Sequence, residues 1–233
     1  MKLIMFDIDG TLTLTKEADE RCFVQALQEV FGFAEINTDW ASYPHCSDSA
    51  ILEAIFQSQR GRSPGLAEVA SFQSHFVTLL TRSTSAQPFG PVFGAREFLG
   101  ELMADAAFAV SLASGGWECS ARLKLASAGL DLSSLPAAFS DDAHSREAIM
   151  HASLRRAAQA CSRDSFDSVI YIGDGVWDAR ASRNLGYRFI GLAHERARAD
   201  RLYAEGAQHV FADYRDADSI MTVLHESQPV PPA

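Results

Sequence analysis

Lysine is scarce in this chain of 233 residues: Lys2, Lys16 and Lys124 are the only ones, and the formal net charge is -10. A nucleic acid or an anionic membrane would favour a basic face on its partner, so this charge argues against either as the main partner. An anionic ligand must therefore be met by a few local positive groups or by a metal ion.

Long hydrophobic runs are also missing, and no stretch approaches the roughly 20 apolar residues that a helix needs to cross a bilayer. The first apolar run ends at Asp7, too early for a signal peptide. The cysteines lie far apart, at Cys22, Cys46, Cys119 and Cys161. Because no Cys-x-x-Cys pair occurs, this spacing favours reduced thiols over a disulfide framework or a zinc site. We therefore expect a cytoplasmic protein that does not bind a membrane.

Helical patterns and short apolar runs alternate from residue 90 onward. The spacing predicts strands at 107–113, 137–139, 168–172, 187–192 and 208–211, with helices near 94–104, 117–129, 145–161, 177–185, 196–205 and 215–226. With an N-terminal strand before Asp7, this alternation predicts an α/β fold with a Rossmann-like, doubly wound parallel sheet. Ligands of such sheets bind at the C-terminal ends of the strands.

The segment 15–88 has a different pattern, because helices are predicted at 16–33, 48–60 and 65–83 and no strand signal interrupts them. We therefore predict two domains. The core is formed by 1–14 and 89–233, and 15–88 is an inserted all-helical domain. The proline-rich end, 228–233, is expected to be a loose tail.

The N-terminal strand leads into Asp7-Ile8-Asp9-Gly10-Thr11-Leu12-Thr13. Side chains alternate faces along a strand, so a loop that begins at Asp7 is needed to bring both carboxylates to one centre. Gly10 makes that turn possible. A purely structural reading, an Asp-rich turn with capping aspartates, is the alternative.

Glycines follow two later strands. Ser114-Gly115-Gly116 comes before a predicted helix, and exposed backbone N–H groups at a helix N-terminus form an anion site, although Ser114 could also be a simple N-cap. The second stretch is Gly173-Asp174-Gly175-Val176-Trp177-Asp178. The glycines on either side of Asp174 leave its carboxylate free to lean toward a cation. An ordinary strand-to-helix turn is the alternative.

In this order, the three stretches resemble the first, second and fourth signatures of the haloacid dehalogenase-like hydrolase superfamily. The resemblance implies that Asp7 is the nucleophile and Asp9 the general acid and base. It also implies that Thr11, Ser114 and Gly115 bind phosphate. Magnesium would be bound by Asp7, Asp9 and Asp174, with Asp178 as a second acidic support.

The third signature is normally a lysine, and this chain departs from it, because no lysine lies between the third predicted strand and the fourth signature. Arg146 stands where the helix of 145–161 should begin, and we assign it the role of bridging the nucleophile and the phosphate. A solvated surface arginine is the alternative, and the rivals for the role are Arg155, Arg156 and Arg163.

The helical insert resembles the cap of the phosphoglycolate phosphatase and beta-phosphoglucomutase branches. Its candidate substrate contacts are Trp40, Tyr43, His45, Arg60 and Arg62, and we predict that Tyr43 and His45 influence specificity. The expected reaction is magnesium-dependent hydrolysis of a small phosphate monoester, a phosphorylated metabolite, through an aspartyl phosphate. Asp9 favours a phosphatase, because related dehalogenases lack this acid and phosphonatases typically carry Ala there. The alternatives are a sugar phosphomutase and a non-catalytic, phosphate-responsive binding protein, for which the missing lysine is the hint.

Overall fold

A six-stranded parallel sheet forms the centre of the computed structural model, which describes residues 1–226. The predicted tail at 228–233 lies outside the described residues. The sheet order is β3-β2-β1-β4-β5-β6. The strands are β1 (Lys2–Phe6), β2 (Phe108–Ala113), β3 (Ala137–Ala138), β4 (Val169–Gly173), β5 (Arg188–Leu192) and β6 (His209–Phe211). The predicted α/β, Rossmann-like fold class is confirmed.

Helices lie close to where the spacing places them. They are α1 (Lys16–Phe31), α2 (Asp48–Arg60), α3 (Leu66–Ala86), α4 (Ala95–Ala104), α5 (Glu118–Ser127), α6 (Arg146–Ala160), α7 (Val176–Leu185), α8 (Arg196–Ala204) and α9 (Ala217–His225). A single 3₁₀ turn at Trp40–Ser42 was not predicted, because three residues are too few to show a periodic pattern.

Both faces of the sheet are covered by helices, as strand β1 shows. Leu3 and Met5 pack with residues of α6 on one face, whereas Ile4 and Phe6 pack with residues of α4, α5 and α9 on the other. All four side chains are fully buried. A parallel strand buried on both faces reads as a continuous apolar run, which explains why β1 shows no polar alternation.

Strand register brings the loops that carry the predicted site residues to one edge of the sheet. Phe6 pairs with Leu112 of β2 and with Ile172 of β4. Asp7, Ser114 and Asp174 therefore leave three neighbouring strands at the same C-terminal edge. The strand order reverses between β1 and β4, and a crevice at such a reversal is where doubly wound sheets bind ligands.

Helices α1 to α3 share a second apolar cluster that is rich in phenylalanine, including Phe23, Phe56, Phe72 and Phe76. Trp117, just before α5, also packs in this cluster, with its ring 6.1 Å from that of Phe23. The division at 15–88 stays a prediction. Within residues 1–226, no helix combines the length and the apolar character needed to span a membrane.

Candidate active site

The loop after β1 is a tight turn that places Asp7 at the sheet edge. The backbone N–H groups of Leu12 and Thr13 both donate to the Ile8 carbonyl oxygen, at 2.8 and 3.0 Å. Gly10 adopts φ 79°, and a Cβ there would lie 2.5 Å from Asp174 Oδ2. Glycine is therefore required both for the left-handed backbone and for the close approach of the Asp174 carboxylate.

A cavity of about 110 Å³ lies between this sheet edge and the helical segment. Seven of the predicted residues line it: Asp7, Asp9, Ser114, Gly115, Arg146, Asp174 and the candidate substrate contact Trp40. Thr11 and Asp178 lie behind the wall, where Thr11 Oγ1 donates a 3.4 Å hydrogen bond to Asp7 Oδ2. Pockets for drug-sized ligands typically measure about 300–1,000 Å³, so this cavity suits a small molecule.

Arg146 connects two carboxylates beneath the cavity. Its Nη2 donates to Asp7 Oδ1 at 3.1 Å, and its Nε donates to Asp178 Oδ1 at 3.0 Å. Ser145 fixes the start of α6, because its Oγ accepts from the Ala148 N–H at 3.2 Å, and Arg146 is the next residue. A rival for the role, Arg156, pairs instead with Asp142.

Negative charge accumulates around the buried Asp7. Burial raises the pKa of Asp7 to about 8, Arg146 opposes this, and the carboxylates of Asp178, Asp174 and Asp9 add to the increase. Each added positive charge near Asp7 would favour its ionised form, which is the form that can act as a nucleophile. Arg146 thus only partly offsets the effect of burial and of the neighbouring carboxylates on the pKa of Asp7.

The carboxylates of Asp7, Asp174 and Asp178 offer oxygen atoms that all lie within 4.8 Å of one another. Asp178 accepts from Arg146 and also, through Oδ2, from the Gly175 N–H at 3.1 Å. Its oxygens are therefore already bonded, which suits a supporting role. Hard carboxylate oxygens are the ligands that magnesium prefers, so the residues present fit this ion. The part of Asp9 in binding it stays a prediction.

Ser114, Gly115 and Gly116 form a turn of small residues on the cavity wall. Ser114 Oγ accepts from the Gly116 N–H at 3.1 Å, which leaves its own O–H free to donate. Within residues 1–226 the Gly115 N–H has no hydrogen-bond acceptor. A Cβ on Gly115 would lie 2.5 Å from Arg146 Nη1, so glycine allows the guanidinium to lie against this turn. The turn and Arg146 together offer donors to an anion.

Asp9 is held by partners that the sequence analysis missed. Thr15 Oγ1 donates to Asp9 Oδ1 at 2.5 Å, and Lys124 Nζ donates to Asp9 Oδ2 at 2.5 Å. Lys124 is fully buried and also donates to Asp19 Oδ1 at 2.7 Å. Burial alone lowers the pKa of Lys124, but Asp19, Asp9 and Asp48 outweigh it and raise that pKa above its ordinary value. Lys124 is therefore a charged ammonium group.

The face of α1 that meets the cavity was also missed. Lys16, Asp19, Glu20 and Phe23 line the cavity, and their spacing of 3, 1 and 3 residues puts them on one side of the helix. Lys16 Nζ donates to Asp174 Oδ2 at 2.6 Å. The helical spacing of these residues, directly after the Asp7 loop, is the signal that could have identified them.

The two residues predicted to influence specificity lie away from the cavity wall. The Tyr43 hydroxyl donates to the Asn37 carbonyl oxygen at 2.9 Å, and His45 is exposed. The same segment contributes Trp40, whose ring stacks 5.9 Å from that of Tyr43, and Cys46 to the wall. The specificity role of Tyr43 and His45 stays a prediction.

Residues 46–49 fasten the helical segment over the sheet edge. The Asp48 N–H donates to the Gly115 carbonyl oxygen at 2.8 Å, and the Trp117 N–H donates to Asp48 Oδ2 at 3.0 Å. Ser47 Oγ donates to the His144 carbonyl oxygen at 2.5 Å. These contacts link the start of α2 to the turn after β2 and to the residue before Ser145.

Known proteins resemble this chain in sequence pattern and in structure. The family model described as haloacid dehalogenase-like hydrolase matches residues 1–186. A hydrolase from Pseudomonas syringae has a similar structure, with a TM-score of 0.75 at 19% identity, covering 97% of this chain and 100% of that chain. CbbY from Rhodobacter sphaeroides, solved in complex with phosphate, gives a TM-score of 0.64 at 17% identity, covering 91% and 94%.

A phosphonoacetaldehyde hydrolase-like protein from Oleispira antarctica gives a TM-score of 0.67 at 14% identity, covering 96% of this chain and 92% of that chain. No curated protein sequence matches the chain significantly. At these identities the structural likeness shows the fold alone.

Proposed function

Because the chain belongs to the haloacid dehalogenase-like hydrolases, we propose that it is a magnesium-dependent phosphatase. Its substrate is a small phosphate monoester, a phosphorylated metabolite, and Asp7 forms an aspartyl-phosphate intermediate. The observation that carries the proposal is the pair of carboxylates on one cavity wall with different partners. Asp7 is bonded to Arg146, whereas Asp9 is bonded to Lys124 and Thr15.

Asp7 has one oxygen available for attack. Oδ1 accepts from Arg146, while within residues 1–226 Oδ2 accepts only the 3.4 Å hydrogen bond from Thr11. In the first step an Asp7 oxygen forms a bond to phosphorus, the bond from phosphorus to the alcohol oxygen breaks, and Asp9 donates a proton to that oxygen. In the second step Asp9 takes a proton from water, the water oxygen bonds to phosphorus, and Asp7 is released with inorganic phosphate.

The transferring phosphoryl group would be held by the Gly115 N–H, the Ser114 hydroxyl and Arg146. A magnesium ion bound by Asp7 and Asp174 would supply positive charge beside the phosphoryl oxygens. Charge compensation is needed because two like charges 4 Å apart repel by roughly 4 kcal/mol at an effective dielectric constant near 20. Arg146 therefore positions Asp7 and reduces the repulsion between this carboxylate and the substrate.

The cavity disfavours a sugar phosphomutase, the alternative with the same core residues. A mutase must hold a second phosphate on the helical side while the first is transferred. The bases nearest that side are Lys16 and Lys124, and both already donate to carboxylates of the site. Lys16 Nζ lies 2.6 Å from Asp174 Oδ2, and Lys124 Nζ lies 2.5 Å from Asp9 Oδ2. Hydrolysis needs no second anion site.

Kinetics with an aryl phosphate test the mechanism. We expect phenyl phosphate to be hydrolysed with magnesium and the reaction to stop in excess chelator. Asp7→Asn should form no phosphoenzyme. Asp9→Asn should release a burst of phenol and then stall as a phosphorylated protein, because loss of a positioned base slows the second step by about 10²–10⁴-fold.

The exposed Asp164 supplies the control, and Asp164→Asn should behave like the unmodified protein. Full activity in excess chelator would contradict the metal requirement. Acid-quenched Asp7→Asn that carries labelled phosphate, together with unlabelled Asp9→Asn, would show that the two carboxylates have the opposite roles.

A further inference from the structure

The cavity wall is richer in carboxyl groups than in bases. Six carboxyl groups line it, and the lining bases are Lys16 and Arg146. Asp7, Asp9 and Asp174 serve the phosphoryl chemistry. The other three, Asp19 and Glu20 on α1 and Asp48 on α2, lie on the helical side, where the alcohol part of a substrate would extend.

Each base at the cavity is already bonded to a carboxylate. Lys16 donates to Asp174, Arg146 donates to Asp7, and Lys124, behind the wall, donates to both Asp9 and Asp19. Among the described residues, Lys16 is the one base of the helical segment that lines the cavity, and it is paired with Asp174, so an anionic group on the alcohol part of the substrate would meet no unpaired base there. A second carboxylate or phosphate there would meet uncompensated negative charge.

Two carboxyl groups of the helical side lack a basic partner. Within residues 1–226, no basic side chain lies within 4.0 Å of a carboxylate oxygen of Glu20 or Asp48. Asp48 is only 9% exposed, and its Oδ1 receives no hydrogen bond from the described residues, whereas Oδ2 accepts from Trp117. Oδ1 is therefore the oxygen of Asp48 that a ligand in the cavity can reach.

Two aromatic residues of the helical segment, Phe23 and Trp40, also line the cavity. On the sheet side an ammonium group already lies between a carboxylate and a ring, because Lys16 Nζ is 2.6 Å from Asp174 Oδ2 and 5.4 Å from the centre of the Trp177 ring. Aromatic faces and carboxylates both attract cations.

We infer that the preferred substrate is a phosphate monoester whose alcohol part carries an ammonium group, bound by Glu20 and Asp48 beside the Trp40 ring. This inference rests on the proposed phosphatase activity and specifies its substrate class. The phosphoryl group lies at the sheet edge, and the ammonium group extends toward α1 and α2. The carboxylates therefore select for positive charge and against a second negative charge.

Three phosphate monoesters of matched length test the inference: aminoethyl phosphate, propyl phosphate and carboxymethyl phosphate. They end in an ammonium group, a methyl group and a carboxylate. We expect kcat/KM for aminoethyl phosphate to exceed that for propyl phosphate by about tenfold or more, and carboxymethyl phosphate to be the poorest substrate. Phenyl phosphate is measured in parallel as a reference for catalysis itself.

Variants on α1 separate charge recognition from differences between leaving groups. Glu20→Gln should reduce the ratio of kcat/KM for aminoethyl over propyl phosphate by about tenfold, because only the ionic attraction is lost. Glu20→Lys should shift the preference toward carboxymethyl phosphate. The matched control is Glu17→Gln on the same helix, since Glu17 is exposed and does not line the cavity.

The phenyl phosphate reference distinguishes the two possible failures. If phenyl phosphate is hydrolysed but propyl or carboxymethyl phosphate is preferred to aminoethyl phosphate, the ammonium inference is wrong and the phosphatase stands. The ammonium inference is also wrong if Glu20→Gln and the unmodified protein have the same ratio of kcat/KM for aminoethyl phosphate over propyl phosphate. If phenyl phosphate is not hydrolysed at all, the proposed function and the inference both fail.

Discussion

Replacing Lys124 by methionine should destabilise the protein and misplace Asp9, the proposed general acid. The side chain is fully buried, and its ammonium group donates to Asp9 at 2.5 Å and to Asp19 at 2.7 Å. Lys124→Met keeps an apolar stem of similar length but removes the charge. Two neighbouring carboxylates would then remain without the cation that holds them together.

The size of the loss follows from the burial of the three groups. Removing one partner of a buried ion pair costs about 3–5 kcal/mol, because the other charge remains uncompensated. The side chains of Asp9 and Asp19 are each 19% exposed, so water reaches them and the lower end of that range, about 3 kcal/mol, applies. In a chain of this length 1 kcal/mol shifts Tm by about 2–4 °C, so Tm should fall by about 6–12 °C.

Thermal melts and a second substitution test this reasoning. Lys124→Met combined with Asp19→Asn should recover part of the lost Tm, because a neutral amide removes the repulsion between the carboxylates. Lys2→Met is the control, since Lys2 donates to backbone carbonyl oxygens at the end of α9 and pairs with no buried carboxylate. A Tm for Lys124→Met equal to that of the control, or no recovery in the double variant, would refute the charge argument.

Two other substitutions have directions set by the structure. Arg146→Lys should lower kcat/KM for phenyl phosphate, because a lysine cannot reproduce the planar fork that contacts both Asp7, the proposed nucleophile, and Asp178. Arg146→Ala should lower it far more. A fully active Arg146→Ala beside an inactive Arg156→Ala would assign the role to the other arginine. Glu68→Gln should lower Tm at pH 7, since hydrogen bonds from Arg62 lower the pKa of Glu68 to about 2. The pKa of Glu68 in the folded protein lies below its unfolded value of about 4.3, so the ion pair stabilises the fold fully above about pH 4.3 and loses this effect toward pH 2. A difference in Tm between Glu68→Gln and the unmodified protein that grows on acidification would contradict the assignment.

The sheet and the candidate site at its edge were predictable because their signals are local. Each strand is a short apolar run of consecutive residues, and the groups at its end follow within a few positions, as Asp7 follows Phe6 and Asp174 follows Gly173. Parallel pairing then brings these ends to one edge without any further information. The same logic selected Arg146 as a candidate, because it stands where a helix was predicted to begin, and α6 does begin at Arg146.

Irregular backbone explains why the contacts of the helical segment were harder to predict. Residues 32–47 contain only one 3₁₀ turn, so no periodicity indicates which side chains face the cavity. Trp40 lies on the cavity wall, whereas Tyr43, three residues later, points its hydroxyl at the Asn37 carbonyl. Residue type alone makes every aromatic residue of this segment an equally good candidate for a contact with the substrate.

Lys124 was missed for a different reason, since its partners are remote in sequence. It is separated by 115 residues from Asp9 and by 105 from Asp19. One local clue exists: Lys124 occupies the buried side of α5 with Ala121 and Leu125, where a charged side chain is tolerated only beside an opposite charge. In a chain with three lysines, one of them at an apolar helical position indicates a buried acidic partner. The partners that Lys124 meets are Asp9 of the N-terminal motif and Asp19 of α1.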